Sequence, residues 1–447
     1  MSVHINTFSK DLCGETVRQL KTDLKCIPSS QRSSRTRISR HLANPKDTWL
    51  RRSGSLSTVA MSAPSTPSAA SAASRWKLHL QAQTWRALMA VGMNLHKMAH
   101  PRPPAPTFRR RIPTTISPQP GEIDLLFYTP PDYNQRHSQI RGKKTEKGTK
   151  ASAAPPATAI DRLQRGYPVV VNFHGGGFTI GQASDDVRWA DAVVREVKAI
   201  VVSVEYRLAP EHPFPTAVED GVDAVLYLVA NADELVIDPL RIAVSGFSAG
   251  GNMAFSVPLK LQDVLHNPLP EEEQDRDGFN SIVLTEPAAL NQPAAIFNPV
   301  AIVAWYPSTD FATNTRRERR LTNIRPDKEL PEFFTKLFDA SYLPVAEVAL
   351  SSPYLSPGLA PLQMLRALPD HIIVYTCEWD ELLVEAERMR DRLRQEAGKE
   401  VVYRKVEGVA HGWDKSPNPL KWDPAIEEVY KEACAALKRA FEVEAGI

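Results

Sequence analysis

Apolar positions along the chain follow two rhythms. Short, nearly continuous apolar runs end in turn residues: Ile123–Tyr128 (IDLLFY), Pro168–Phe173 (PVVVNF), Ala199–Val204 (AIVVSV), Arg241–Ser245 (RIAVS), Val300–Trp305 (VAIVAW), His371–Thr376 (HIIVYT) and Val401–Val406 (VVYRKV). Between them lie stretches with helical spacing: Trp189–Val197, Pro215–Val229, Gly250–Leu265, Glu381–Gln395 and Pro424–Val443. A strand covered on both faces needs apolar side chains at successive positions, not at alternate ones. Such strands alternating with helices predict an α/β fold, a mostly parallel central sheet with helices on both faces. No repeat of fixed period is present.

Three segments break this rhythm. Trp76–Met98 carries one apolar stripe (Leu78, Ala82, Trp85, Met89, Met93) and ends before Pro101, Pro103 and Pro104, which predicts an amphipathic helix. Such a helix can pack on the core, close over a site as a lid, or make a peripheral membrane contact. Residues 1–75 are basic and rich in Ser and Ala, with few large apolar side chains to offset the entropy of ordering, so a disordered tail is expected. Residues 133–165 are polar, with a Lys/Arg cluster followed by Ala and Pro, and read as a flexible insertion.

Composition narrows the function classes. Lys plus Arg total 54 and Asp plus Glu 52, a formal net charge of +2, which gives no general reason to expect nucleic acid as a partner. The four cysteines (Cys13, Cys26, Cys377, Cys434) are scattered without a CxxC pair, against a disulfide scaffold or a thiolate zinc cluster. No apolar run is long enough to span a membrane, and the first 30 residues lack the apolar core of a secretion signal. A soluble cytoplasmic protein is the expectation. The Arg- and Ser-rich N-terminus also suits a mitochondrial targeting segment, although Asp11, Glu15 and Asp23 stand against it; translation starting at Met61 is a further reading.

The chemistry gathers at turns that follow strands. Gly246-Phe247-Ser248-Ala249-Gly250 comes after RIAVS and opens a helix, the setting of a nucleophile elbow. Glycines two residues to either side allow a turn tight enough to raise the serine above the sheet edge. His174-Gly175-Gly176-Gly177-Phe178 follows PVVVNF. Acyl transfer places negative charge on the former carbonyl oxygen, and a glycine loop lets backbone N–H donors approach it closely. His174 reads as a buttress of this loop. The strand HIIVYT runs into Asp380 and the strand VVYRKV into His411, so an acid and a base share an edge with Ser248. The order Ser248, Asp380, His411 is that of a Ser–His–Asp hydrolase triad of the α/β type. His96 and His100 are spaced like the histidines of a zinc HExxH motif, but Lys97 stands where Glu is needed, so no metal site is expected.

These motifs together resemble the hormone-sensitive-lipase-like branch of the α/β-hydrolase superfamily, which holds esterases, lipases and arylacetamide-deacetylase-type enzymes. The run Glu205-Tyr206-Arg207-Leu208-Ala209-Pro210-Glu211-His212-Pro213-Phe214-Pro215 and the run Ser352-Pro353-Tyr354-Leu355-Ser356-Pro357 are similar to segments of that branch, and the likeness covers residues from about 123 to the C-terminus. It implies an α/β-hydrolase domain over 76–447, with a helical cap built from 76–100 and about 309–348. It also implies Ser248 as nucleophile, Asp380 as acid, His411 as base, and the N–H groups of Gly175, Gly176 and Ala249 as the oxyanion hole. Arg207, Glu211 and His212 would be structural. The chain departs from the branch at Phe247, where many members carry Asp or Thr. It departs again at Glu381-Leu382-Leu383-Val384-Glu385, where Pro-Leu-Arg-Asp-Glu is common.

The implied activity is carboxylic-ester hydrolysis of a small or medium hydrophobic ester, needing no metal or organic cofactor. Phe178, Phe247, Trp85, Met89 and Phe334 are the candidate pocket residues, with Phe333, Phe338 and Tyr342 as further cap aromatics. Two other functions stay open at this stage. One is acyl transfer or amide hydrolysis by the same triad. The other is ligand binding without catalysis, as in the gibberellin receptors, which lack the histidine that His411 supplies here.

Overall fold

The apolar runs assemble into one eight-stranded sheet in a computed structural model. The structure describes residues 69–146, 166–266, 299–313, 316–343, 348–415 and 422–445. The strands are β1 (Phe108–Pro113), β2 (Glu122–Tyr128), β3 (Tyr167–Phe173), β4 (Ile200–Glu205), β5 (Ile237–Phe247), β6 (Ala301–Trp305), β7 (His371–Trp379) and β8 (Glu400–Ala410). Their order across the sheet is β1-β2-β4-β3-β5-β6-β7-β8. The β1–β2 and β2–β4 pairs are antiparallel, and all the others are parallel.

Both faces of this sheet are covered, which is why its central strands are apolar at nearly every position. Side chains alternate between faces along each strand. Val169, Val171 and Phe173 join one core, with Val222, Met253, Val257 and Met389 from the helices Thr216–Ala230, Ala249–His266 and Leu383–Gln395. Val170 and Phe247 join the other, with Trp189 and Val193 from Val187–Glu196 and Ile426 and Tyr430 from Pro424–Ala445. Parallel strands place their C-terminal ends on one edge, and Phe173, Phe247, Trp379 and Ala410 all lie there.

The expected elements form, with three differences. β1 was not foreseen, because FRRRIP carries too much charge to read as a strand. It lies at the sheet edge, where only Phe108, stacked on Phe127 at 4.4 Å, and the buried Ile112 need apolar cover, while its arginines reach water and Asp124. The polar segment expected to be flexible over 133–165 is instead helical over Tyr133–Glu146. Tyr133 anchors that helix: its ring packs on Phe108 and its hydroxyl donates to the Leu235 carbonyl at 3.1 Å. The rest of that segment lies outside the described residues. The N-terminal helix runs over Ala69–Met98, starting seven residues before the expected Trp76, in an Ala-rich stretch of high helix propensity. Most of the expected tail, residues 1–68, lies outside the described residues.

The helix Ala69–Met98 is held to the loops above the sheet edge by polar contacts. Arg86 donates to the carbonyl oxygens of Thr179 and Ala209 (both 2.8 Å) and pairs with Glu211 at 2.7 Å. Its expected stripe faces the protein, with Ala82 and Met93 buried. Its outer face exposes Trp76, Leu80, Leu88, Val91, Leu95 and Met98. Among the described residues, no helix is long and apolar enough to cross a membrane.

The segment after β4 is fastened by a buried ion pair. Arg207 Nη2 lies 2.6 Å from Asp220 Oδ1, and the Arg207 amide and Nε also donate to this carboxylate. Arg207 Nη1 donates to the Gln119 carbonyl at 2.7 Å. Burial raises the Asp220 pKa, and the guanidinium opposes that shift. Removing one member leaves a desolvated charge without its partner. Asp220→Ala is therefore expected to lower the unfolding free energy by about 3–5 kcal/mol, read from urea denaturation curves. A change below about 1 kcal/mol, the scale of an exposed pair, would contradict this reading.

Candidate active site

The turn that carries Ser248 is built by close backbone approach. Ser248 follows the last residue of β5 with φ +55°, a left-handed conformation that non-glycine residues hold only where the surroundings enforce it. A Cβ on Gly246 would lie 2.1 Å from the Gly250 carbonyl oxygen, and one on Gly250 would lie 2.0 Å from that of Phe173. The two glycines are thus required by contact, not merely tolerated. The Ser248 amide donates to the Trp305 carbonyl at 2.9 Å, tying the turn to the end of β6. The helix Ala249–His266 starts immediately after, so its N-terminal dipole faces the serine.

Asp380 and His411 follow β7 and β8 directly, on the same edge. His411 Nε2 lies 2.8 Å from Ser248 Oγ, and His411 Nδ1 lies 2.8 Å from Asp380 Oδ2. A carboxylate accepts only, so Nδ1 carries the proton and Nε2 is free to accept the serine hydroxyl. Asp380 is itself held by the Leu382 amide, which donates to Oδ1 at 2.9 Å. Burial works against a charged imidazole at His411, but the Asp380 carboxylate, followed by Glu381 and Asp414, outweighs it and raises the His411 pKa above its ordinary value. The Tyr306 ring meets the imidazole edge-on, with centroids 4.8 Å apart.

The glycine loop after β3 lies against this turn. A Cβ on Gly175 would be 3.0 Å from the Phe247 carbonyl oxygen and 3.4 Å from Ser248 Cβ. Gly176 adopts φ +112°, and its carbonyl accepts the amides of Thr179 and Ile180. His174 is fully buried beneath the loop. Its Nδ1 donates to the Gly175 carbonyl at 2.8 Å, its ring stacks on Tyr206 at 4.2 Å, and the Tyr206 hydroxyl donates to the His174 carbonyl. These contacts are those of the expected buttress.

A family model described as alpha/beta hydrolase fold matches residues 170–415, more than half of the chain. The chain belongs to the alpha/beta hydrolase fold family. Within it, the motifs place this hydrolase in the hormone-sensitive-lipase-like branch. It is 30% identical over 303 residues to the AB hydrolase superfamily protein C1039.03 of Schizosaccharomyces pombe, covering 66% of this chain and 78% of that one. It is 49% identical over 104 residues to Carboxylesterase NlhH of Mycobacterium tuberculosis, covering 23% of this chain and 32% of that one. Among solved structures, it is similar to an esterase of Pyrobaculum calidifontis, with 25% identity and a TM-score of 0.58 over 80% of this chain and 92% of that one.

Ser248 and His411 of the hydrolase sit at the wall of an open cleft at the C-terminal edge of the sheet. Phe178, Phe311, Phe338, Tyr342 and Leu343 give it an apolar lining. Of the expected pocket residues, Phe178 lines it. Phe247 does not: it is 1% exposed and lies on the opposite side of the sheet, stacked on Trp305 at 5.4 Å. The reason is the two-residue alternation of β5, which sends the residue before the turn into the core. Phe334 stands behind Phe338 at 5.8 Å, and Trp85 packs on Phe333 and Phe334 at 5.0 and 4.6 Å, so both back the wall without facing the cleft. Met89, one helical turn beyond Trp85, is half-buried and also absent from the lining.

Sequence reasoning missed the polar side of the cleft. Arg319 lines it and pairs with Glu385 at 2.7 Å, the two side chains being 3% and 1% exposed. Glu385 also accepts the Thr309 amide, joining cap and sheet edge. Glu381 lines the cleft as well, at the first position of the departure noted after Asp380. The signal was present in the departure after Asp380, but its partner lay over 60 residues away. His96 is buried against Trp422 while His100 is exposed, so this pair does not converge. Among the described residues, no group of three or more His, Cys, Asp or Glu could hold a metal ion.

The glycine contacts predict a sharp steric requirement. Gly250→Ala, with its methyl 2.0 Å from the Phe173 carbonyl oxygen, must displace β3 from the turn. The expected result is a folded protein with a lowered melting temperature or no soluble protein at all. A variant with wild-type melting temperature and wild-type labelling of Ser248 by an organophosphonate would refute the close approach.

Proposed function

We propose that this hydrolase cleaves carboxylic esters through an acyl-enzyme formed on Ser248. The observation that carries this reading is the pair of 2.8 Å contacts that link Ser248 Oγ to His411 and His411 to Asp380. His411 Nε2 takes the hydroxyl proton as Ser248 Oγ attacks the ester carbonyl. The N–H groups of Gly175, Gly176 and Ala249 stabilise the oxyanion; one such donor is worth about 10²–10³ in kcat. His411 then returns the proton to the departing alcohol. Water attacks the acyl-enzyme in the second half, with His411 as base again, and releases the acid. The Asp380 carboxylate holds the Nδ1–H tautomer and stabilises the imidazolium in both halves.

The aromatic lining of the cleft favours a small or medium hydrophobic ester. The charged groups of Arg319 and Glu385 neutralise each other, so they favour no strongly charged acyl group. The cap segment and the helix Ala69–Met98 would act together as the wall over the acyl chain, with Trp85 stacked behind Phe334 and Phe334 behind Phe338.

Two measurements test this reading. Hydrolysis of p-nitrophenyl esters from acetate to palmitate is expected in the wild type, with a loss of about 10³-fold or more in Ser248→Ala. A folded Ser248→Ala protein that keeps wild-type rates would refute the nucleophile. The second is the pH profile of kcat/KM. The base must be neutral to act, so activity falls as pH drops through the His411 pKa, which the neighbouring carboxylates raise. The acid limb is therefore expected above about 6.5, the ordinary histidine value. A limb below that value would contradict the electrostatics of the site.

A further inference from the structure

Behind His411 lies a buried polar network that the hydrolytic steps do not use. The turn after the histidine, Trp413–Lys415, carries Asp414 and Lys415. The Tyr306 hydroxyl donates to Asp414 Oδ1 and the Tyr430 hydroxyl to Asp414 Oδ2, both at 2.5 Å. The Lys415 ammonium pairs with Asp414 at 3.2 Å and with Asp186 at 2.8 Å, and lies 3.7 Å from the centroid of the Phe247 ring. Asp186 accepts from Asn172 Nδ2 at 2.8 Å, Asn172 accepts from Ser245 Oγ at 2.7 Å, and Ser245 accepts from Trp189 Nε1. Ser245 and Phe247 belong to β5, three and one residues before the nucleophile. The network thus joins the histidine turn to the strand that presents Ser248, to β3 and to the helix Pro424–Ala445.

A short turn could otherwise shift by more than the Ser–His contact tolerates. Misplacement of a reacting group by about 1 Å can cost 10²-fold in rate. We propose that Asp414 and Lys415 are positioning residues: together they lock the turn that carries His411 onto the nucleophile strand and set the electric field at its imidazole. This rests on the serine-hydrolase reading above.

The field has a definite sign. Ser248 and Asp380 contact His411 directly, Glu381 and Asp414 are nearby carboxylates, and the Tyr306 ring meets the imidazole edge-on. The Cys377 thiol lies at the same turn against the Gly412 backbone, and Lys415 sits beside Asp414 with Asp186 behind. Burial pushes the Tyr306 phenol and the Cys377 thiol up, so both stay neutral. Burial works against the Lys415 ammonium as well, but Asp186 and Asp414 outweigh it and raise its pKa, so it stays charged. Asp414 favours the imidazolium and Lys415 disfavours it. Removing each charge therefore moves the histidine in opposite directions.

The experiment compares Asp414→Asn and Lys415→Met with the wild type on one soluble p-nitrophenyl ester. It measures kcat, KM, melting temperature and the acid limb of kcat/KM. The expected result is a fall of about 10- to 100-fold in kcat with KM nearly unchanged. The acid limb moves down in pH for Asp414→Asn and up for Lys415→Met. A side chain that only stabilised the fold would lower the melting temperature without splitting the limbs. Unchanged kcat in the folded variants, limbs that stay in place, or limbs that move the same way overturn the inference. Where either variant fails to fold, Tyr430→Phe replaces it. That change removes one donor from Asp414, leaves its charge less balanced, and is expected to lower kcat several-fold and move the limb up. Wild-type kcat and an unmoved limb in Tyr430→Phe overturn the inference equally. Absence of ester hydrolysis in the wild type would instead remove the reading on which it rests.

Discussion

The site depends on one constraint, the close approach of three backbone segments at the C-terminal edge of the sheet. Gly250 brings the turn after β5 into contact with the end of β3, and Gly175 brings the loop after β3 back against Ser248. Without these contacts the serine would not stand above the edge, and the glycine loop would not lie against it. The left-handed backbone at Ser248 is the strain that this geometry holds. The parallel sheet supports it, because β3, β5 and β6 are buried on both faces.

Around that fixed point, polar contacts place what the sheet alone leaves loose. His411 is reached by a turn, and its two ring nitrogens are aligned by Asp380 on one side and Ser248 on the other. The loop after β3 is propped by His174 and Tyr206. Arg207 and Asp220 fix the segment after β4, and Arg86 with Glu211 fixes the N-terminal helix above it. Arg319 and Glu385 join the helix Arg316–Thr322 to the helix Leu383–Gln395. Apart from the partly exposed Arg86–Glu211 pair, these contacts are shielded from water, where leaving one member alone costs more than forming the pair contributes. Several of these contacts come from loops and helix ends, so the order of the site is carried by partners distant in sequence.

Legibility in the sequence follows the range of each interaction. The central strands could be read because burial on both faces writes an apolar residue at nearly every position. Ser248, Asp380 and His411 could be read because each follows a strand in a distinctive local context, and the structure brings these three side chains together. The edge strand Phe108–Pro113 could not, since an edge needs few apolar residues and its arginines mask the pattern. The helix Tyr133–Glu146 could not, since its anchor is one tyrosine packed on residues from other strands. Phe247 was placed in the pocket because it adjoins the nucleophile in sequence, yet strand alternation turns it into the opposite core.

By itself the sequence determined the class of fold, the order of the central strands and the helices between them, and the residue types at those strand ends, because these rest on local periodicity and on steric rules for glycine. Tertiary structure alone decided which side chains line the cleft, how the cap aromatics stack in layers, and how Asp414, Lys415 and Asp186 meet behind the histidine. Those outcomes depend on contacts between segments separated by tens to hundreds of residues, formed where the helices and loops cross the sheet edge. A one-dimensional pattern records which face of an element is apolar, but not which neighbour that face will meet.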